Sequence, residues 1–116
     1  MNIKLKTQQL QEILDIVSRF VSKHSTLPVL ENIYIKGHID EIIFRASDME
    51  KYVNISIPAN IDNEWAITVN ARTFTDLVKT IEDDEINLII DEASDILYIK
   101  TLWDDFKIKW IPANEY

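Results

Sequence analysis

The side chains with chemical potential are few, and their spacing is informative. Asp48 and Glu50 lie two apart. A carboxylate pair can divide general acid and base roles when its environment separates the two pKa values. These two stand beside Lys51 between strand-like runs, a setting that suits capping of a turn better than catalysis. Glu82-Asp83-Asp84-Glu85 and Asp91-Glu92 offer oxygens to a hard cation, but they lack the alternating spacing and the glycine of a calcium loop. They read as solvated turns. His24 and His38 are the only histidines, and no serine sits in a nucleophile-elbow context, so a catalytic triad has no basis. The chain has no Cys, which excludes disulfides, thiolate zinc and cysteine nucleophiles. Its single Gly, Gly37, removes the glycine-rich phosphate-binding motifs. Met1 and Met49 form no stripe, and Trp65, Phe74, Trp103 and Trp110 are spaced as core positions. The residues point away from catalysis, with no metal and no cofactor expected.

A polypeptide of 116 residues fits one domain, and 47% hydrophobic content with three Trp supports a packed core despite a net charge of −8. No apolar run approaches the ~20 residues of a membrane span. A cytoplasmic, acidic domain is expected.

Alternation over Asn2 to Lys6 predicts a half-buried strand. Thr7 is then expected to cap a helix with Leu10, Ile13, Leu14, Val17, Phe20 and Val21 on one stripe, opposite Gln8, Gln11, Glu12, Asp15, Ser18, Arg19 and Ser22. Leu27-Pro28 closes the helical option. Strands are expected over Val29 to Lys36, Glu41 to Ala46, Lys51 to Pro58 and Trp65 to Val69, with a turn at Gly37-His38. Asn70 caps a second helix bearing Phe74, Leu77, Val78 and Ile81. Three more strands follow, Ile86 to Ile90, Ile96 to Thr101 and Phe106 to Ile111, separated by Asp-rich turns.

A shift of 64 carries Leu10, Ile13, Leu14 and Val17 onto Phe74, Leu77, Val78 and Ile81, and Ile3 and Leu5 onto Ile67 and Val69. The chain is therefore two β-α-β-β-β repeats, residues 1–60 and 63–112. The fold class is α+β: antiparallel sheet in a curved layer with two helices on one face, their polar stripes side by side. Residues 1–24 hold four cations against two acids, a balance of +2, and residues 70–81 a balance of +1, leaving −11 elsewhere. A mildly basic helical surface on an acidic body is expected.

Thr26-Leu27-Pro28-Val29-Leu30 after an amphipathic helix resembles the signature of the bacterial DNA polymerase III beta subunit, the sliding clamp. Ala46-Ser47-Asp48-Met49-Glu50 resembles that family's turn, and Val69-Asn70-Ala71-Arg72 with Phe74 the start of its second helix. Ile111-Pro112-Ala113-Asn114-Glu115-Tyr116 resembles the segment closing its first domain. The resemblance covers residues 1–116 and implies one clamp domain, the first of three in a subunit, two subunits closing a ring around duplex DNA. It implies no enzymatic activity. The ring confers processivity on the replicative polymerase, and polymerase and clamp loader are captured mainly through the third domain. By motif position Lys23, His24 and Arg72 would face DNA, with Arg19 and Lys79 from the helix faces; His24-Ser25 stands where the family often has Arg-Pro. Phe106 and Ile108 match positions that pack against the partner subunit. The alternative is an acidic protein-interaction module that keeps the fold without encircling DNA.

Overall fold

The computed structural model describes residues 2–21, 31–61 and 63–113. Strand β1 (Asn2–Lys6) leads into α1 (Thr7–Val17) and a single 3-10 turn (Ser18–Phe20). Strands β2 (Asn32–His38), β3 (Glu41–Ser47), β4 (Tyr52–Pro58) and β5 (Trp65–Asn70) follow. Then come α2 (Ala71–Lys79), β6 (Glu85–Asp91), β7 (Ile96–Lys100), β8 (Asp105–Lys109) and the short β9 (Ile111–Pro112).

The strands form two antiparallel sheets rather than one curved layer: a four-stranded sheet, β1-β6-β7-β8, and a five-stranded sheet, β4-β3-β2-β5-β9. The repeats are interlocked, because each gives its first strand to the other's sheet. Strand β1 pairs with β6, Ile3 opposite Leu88, while β5 pairs with β2, Ile67 opposite Ile35. One core runs between the sheets and under both helices, with Leu10, Leu14, Ile33, Phe44, Ile67, Phe74, Leu88 and Ile99 almost fully buried.

The apolar stripes explain the helix seats. Leu10, Ile13, Leu14 and Val17 are buried on α1; Phe74, Val78 and, just past α2, Ile81 are buried at the matching positions, and Leu77 is half-buried. Helix α1 stops at Val17, yet Phe20 and Val21 still pack against the core through the 3-10 turn. The two helices also pack against each other.

Four local expectations are corrected. Thr7 does not cap α1: it is the first helical residue, buried, and Lys6 holds the cap position without a side-chain bond. Its amide instead donates to the Asp84 carbonyl at 2.9 Å. Gly37-His38 belongs to β2, and the turn is Ile39-Asp40, with Asp40 at φ 61°. Gly37 is there for space, since a Cβ would lie 2.4 Å from the Trp65 Nε1 atom across the β2–β5 pair. Trp103 is not core but 82% exposed, at the tip of the β7–β8 hairpin. The last strand is interrupted at Trp110, whose amide donates to Asp95 (2.9 Å), and β9 crosses to the five-stranded sheet. There Asn32 donates to the Thr68 hydroxyl and that hydroxyl to the Ile111 carbonyl, each at 3.1 Å, satisfying both buried polar groups.

Candidate nucleic-acid interface

With α1 and α2 each burying one stripe, their other faces form one solvent surface. On α1 it presents Gln8, Gln9, Glu12, Asp15, the exposed apolar Ile16 and, beyond the helix, Arg19; on α2 it presents Arg72, Thr73, Asp76 and Lys79. Asn70 starts α2 as its sequence promises, its side-chain oxygen accepting from the Thr73 amide at 2.9 Å. Gln11 is not part of the open face. It is half-buried and donates to the Val78 and Ile81 carbonyls at 3.0 and 3.2 Å, stapling α1 to the end of α2. That bridge gives the Val78 carbonyl a second donor beside the Ile81 amide and pairs the Ile81 carbonyl just beyond α2, and it fixes how the two helices lie together.

The charge of this surface differs from the segment count. Among the described residues it carries Arg19, Arg72 and Lys79 against Glu12, Asp15 and Asp76, so it is balanced. The cationic surplus counted for residues 1–24 rests on Lys4 and Lys6, which strand alternation turns away from the core, and on Lys23. Arg19 pairs with Asp15 at 2.9 Å, and Arg72 stands 3.9 Å from Asp76 with its side chain 92% exposed. Such exposed pairs are worth well under ~1 kcal/mol, so either guanidinium can leave its carboxylate for a phosphate. Lys79 has no ion pair among the described residues. Lys23, His24 and the Thr26–Leu30 motif lie outside the described residues.

Strand β8 is an edge of the four-stranded sheet, leaving the outer backbone groups of Asp105–Lys109 without a strand neighbour among the described residues. Phe106 is half-buried, packed against the core, while Ile108 is 7% exposed and belongs to the chain's own core. Alternation turns both toward α2, so neither projects freely. Asp48 acts as a turn former: one carboxylate oxygen accepts from the Lys51 amide (2.7 Å) and the Glu50 amide (3.0 Å). Those two donors, Lys51 first, hold its pKa below the ordinary value of 3.8, which suits neither a general acid nor a proton shuttle.

The family model for the DNA polymerase III beta subunit, N-terminal domain, matches residues 1–116. The chain belongs to this family. It is 28% identical to the beta sliding clamp of Synechocystis sp. and 25% identical to that of Staphylococcus epidermidis, each alignment taking in the whole chain. It spans about a third of those relatives, 32% and 33%. Among solved structures, the Bartonella birtlesii sliding clamp superposes over the whole chain with TM-score 0.89 at 28% identity, covering 33% of that protein. The Caulobacter crescentus polymerase III beta subunit gives TM-score 0.90 at 25% identity, covering 32%. The clamp-domain fold and its α+β class are those the sequence implies. Among the described residues no helix is long and apolar enough to cross a membrane.

Proposed function

We propose that this chain is one domain of a cytoplasmic ring that encircles duplex DNA and tethers the replicative polymerase, itself performing no catalysis. The observation that carries the reading is the pair of abutting helices whose common face, polar except for Ile16, is charge-balanced, in a clamp-family domain. A surface that must slide gains from weak phosphate contacts, because tight ones would fix its position. Retention then comes from enclosure, and Arg72, Arg19 and Lys79, with Lys23 and His24, supply contacts that form and break as the ring moves. The edge strand β8 is where a second subunit adds, with Phe106 at the seam and Ile108 backing it from inside. Polymerase and clamp loader act through the complete ring.

Two measurements test this. The 116-residue chain is expected to bind a duplex oligonucleotide more weakly than micromolar at physiological salt; tighter binding would mean a gripping surface. In the complete subunit, Lys23→Glu with Arg72→Glu is expected to shorten residence on circular DNA while leaving the melting temperature unchanged. Unchanged residence would remove those side chains from the interface, and failure of the subunit to be retained on circular DNA at all would favour the interaction-module alternative.

A further inference from the structure

One arginine stands off the helix face, on the outward side of the five-stranded sheet. Strand alternation turns Tyr34, Lys36, Ile43 and Arg45 away from the buried Ile35 and Phe44. Their strands, β2 and β3, are each paired on both sides and lie in the sheet that does not contain β8, so this surface is no strand edge. The register sets it out in two rows. Tyr34, Arg45 and Asn54 stand side by side, and one step along the face so do Lys36, Ile43 and Ser56. In a chain of net charge −8 these rows carry two cations and no carboxylate.

Arg45 is held ready there. Its guanidinium carbon lies 5.0 Å from the centroid of the Tyr34 ring, and its Nε–H donates to the Asn54 side-chain oxygen at 3.0 Å. The stacking and the hydrogen bond fix the guanidinium plane while its outer N–H groups stay open to a ligand. Arg19 and Arg72 each face a carboxylate, whereas Arg45 has no ion pair among the described residues. A fixed fork of this kind matches the two oxygens of a carboxylate. We propose that this face receives an acidic–aliphatic segment of a partner protein, a carboxylate on Arg45 with Lys36 on the diagonal and an aliphatic side chain on Ile43. The spacing sets the motif. Arg45 and Ile43 are two apart on β3, about 7 Å, and an extended peptide places its own residues i and i+2 on one side at the same interval.

Charge placement favours a peptide over a nucleic acid. Along the strands the two rows end at acids, Asp40 and Glu41 beyond Ile43 and Asp48 and Glu50 beyond Arg45. One acidic side chain fits between them. A nucleic-acid strand carries a phosphate at every nucleotide and would bring its next charges onto those carboxylates. It would also leave the half-buried Ile43 without an apolar partner.

The test is a titration of the nitrogen-15-labelled 116-residue chain, followed by the backbone amide and Arg45 Nε–H chemical shifts. The ligands are the end-capped peptide Gly-Ser-Glu-Thr-Leu-Ser-Gly, its counterpart with Gln for Glu, its counterpart with Glu and Thr exchanged, and a twelve-nucleotide oligothymidylate. The first peptide is expected to saturate with a Kd of about 1 mM in low salt, shifting Lys36, Ile43 and Arg45, and to weaken as salt rises. Arg45→Gln should weaken it about tenfold, and Arg45→Lys, which keeps the charge and loses the fork, about fivefold. Unshifted amides of the buried Ile35 and Phe44 report that both variants stay folded. Equal binding of the Gln peptide or the exchanged peptide, variants that bind as tightly as the parent, or no saturation by about 10 mM would overturn the proposal. Tighter binding of the oligothymidylate would overturn it in favour of a nucleic-acid site. Because α1 and α2 pack on the core side of the sheets, none of these outcomes bears on the helix face.

Discussion

The first and second halves of the chain build the same strand–helix–three-strand unit and differ most in length at one place. Helices α1 and α2 begin 64 residues apart, but β2 and β6, like β4 and β8, begin 53 apart. The difference of eleven residues falls in the connection from α1 to β2, where Lys23, His24 and the Thr-Leu-Pro motif lie. The second half passes almost directly from Ile81 into β6. Duplication therefore accounts for the scaffold, and the added length sits where the family resemblance puts the contacts to DNA.

The halves also solve equivalent local problems with different groups. Asn70 caps α2 through its side chain, while the matching Lys6 cannot, and α1 borrows the Asp84 carbonyl from the other half. In the β3–β4 turn Asp48 accepts from the amides two and three residues on; in the β7–β8 turn the Thr101 hydroxyl accepts from Trp103 at 3.2 Å and Asp104 at 2.9 Å. The geometry is shared, but the two amides of the first turn are held by a carboxylate and those of the second by a hydroxyl.

Substitutions can break or sharpen this correspondence. The largest effect is expected at the paired core anchors. Phe74→Ala and Leu10→Ala should each cost about 3–5 kcal/mol in chemical denaturation, since both are fully buried. A loss under ~1 kcal/mol at either would mean its helix is not seated on the core. Next is Gly37→Ala, expected to cost about 1–3 kcal/mol by forcing the Trp65 indole aside. The same change in a Trp65→Leu background should cost much less, and an equal cost in both would discard the indole as the cause.

The caps come third. Asn70→Ala should destabilise by about 1 kcal/mol, while Lys6→Asp, at an extended cap position with an unfilled role, should stabilise by about 0.5–1 kcal/mol. Equal and opposite changes would bring the two helix starts level; a destabilising Lys6→Asp would show that they are not equivalent. The smallest effect concerns pH. The Asp48 carboxyl titrates below its ordinary value in the folded chain, so its contribution is present at neutral pH and lost as pH falls through the folded pKa. Between about pH 6 and about pH 2, the protection of the Glu50 and Lys51 amides, taken against the intrinsic exchange rate at each pH, should fall more than that of the Trp103 and Asp104 amides. An identical loss of protection in both turns would contradict the carboxylate's role.

Periodicity made most of the elements legible, because burying one face of a helix or strand forces apolar residues into its repeat. The stripes from Leu10 to Val17 and from Phe74 to Ile81, and the alternation of β6 to β8, follow that rule. The cap at Asn70 was legible for the same local reason. The shift of 64 already placed Asn70 opposite Lys6 rather than Thr7, so the missing first cap was written in the repeat. Gly37 misled because a glycine at a strand end and one kept for a neighbouring indole look alike in one dimension. Segment charge misled because counting by position along the chain assigns the exposed Lys4 and Lys6 of β1 to the helix that follows them. Trp103 looked like core because aromatic content does not reveal which side of a hairpin tip meets water.

By itself, the order of residues determined the repeat, the apolar stripes and the family, all of which depend on neighbours within a few positions or on motifs read in line. Tertiary structure alone decided that β1 joins β6 and β5 joins β2, that Gln11 ties one helix to the other, and that Tyr34, Arg45 and Asn54 stand in one row. Strand alternation states that a residue has two possible sides; which partner lies beside it, and therefore which charges gather, is fixed only when distant segments compete for the same sheet edge and core.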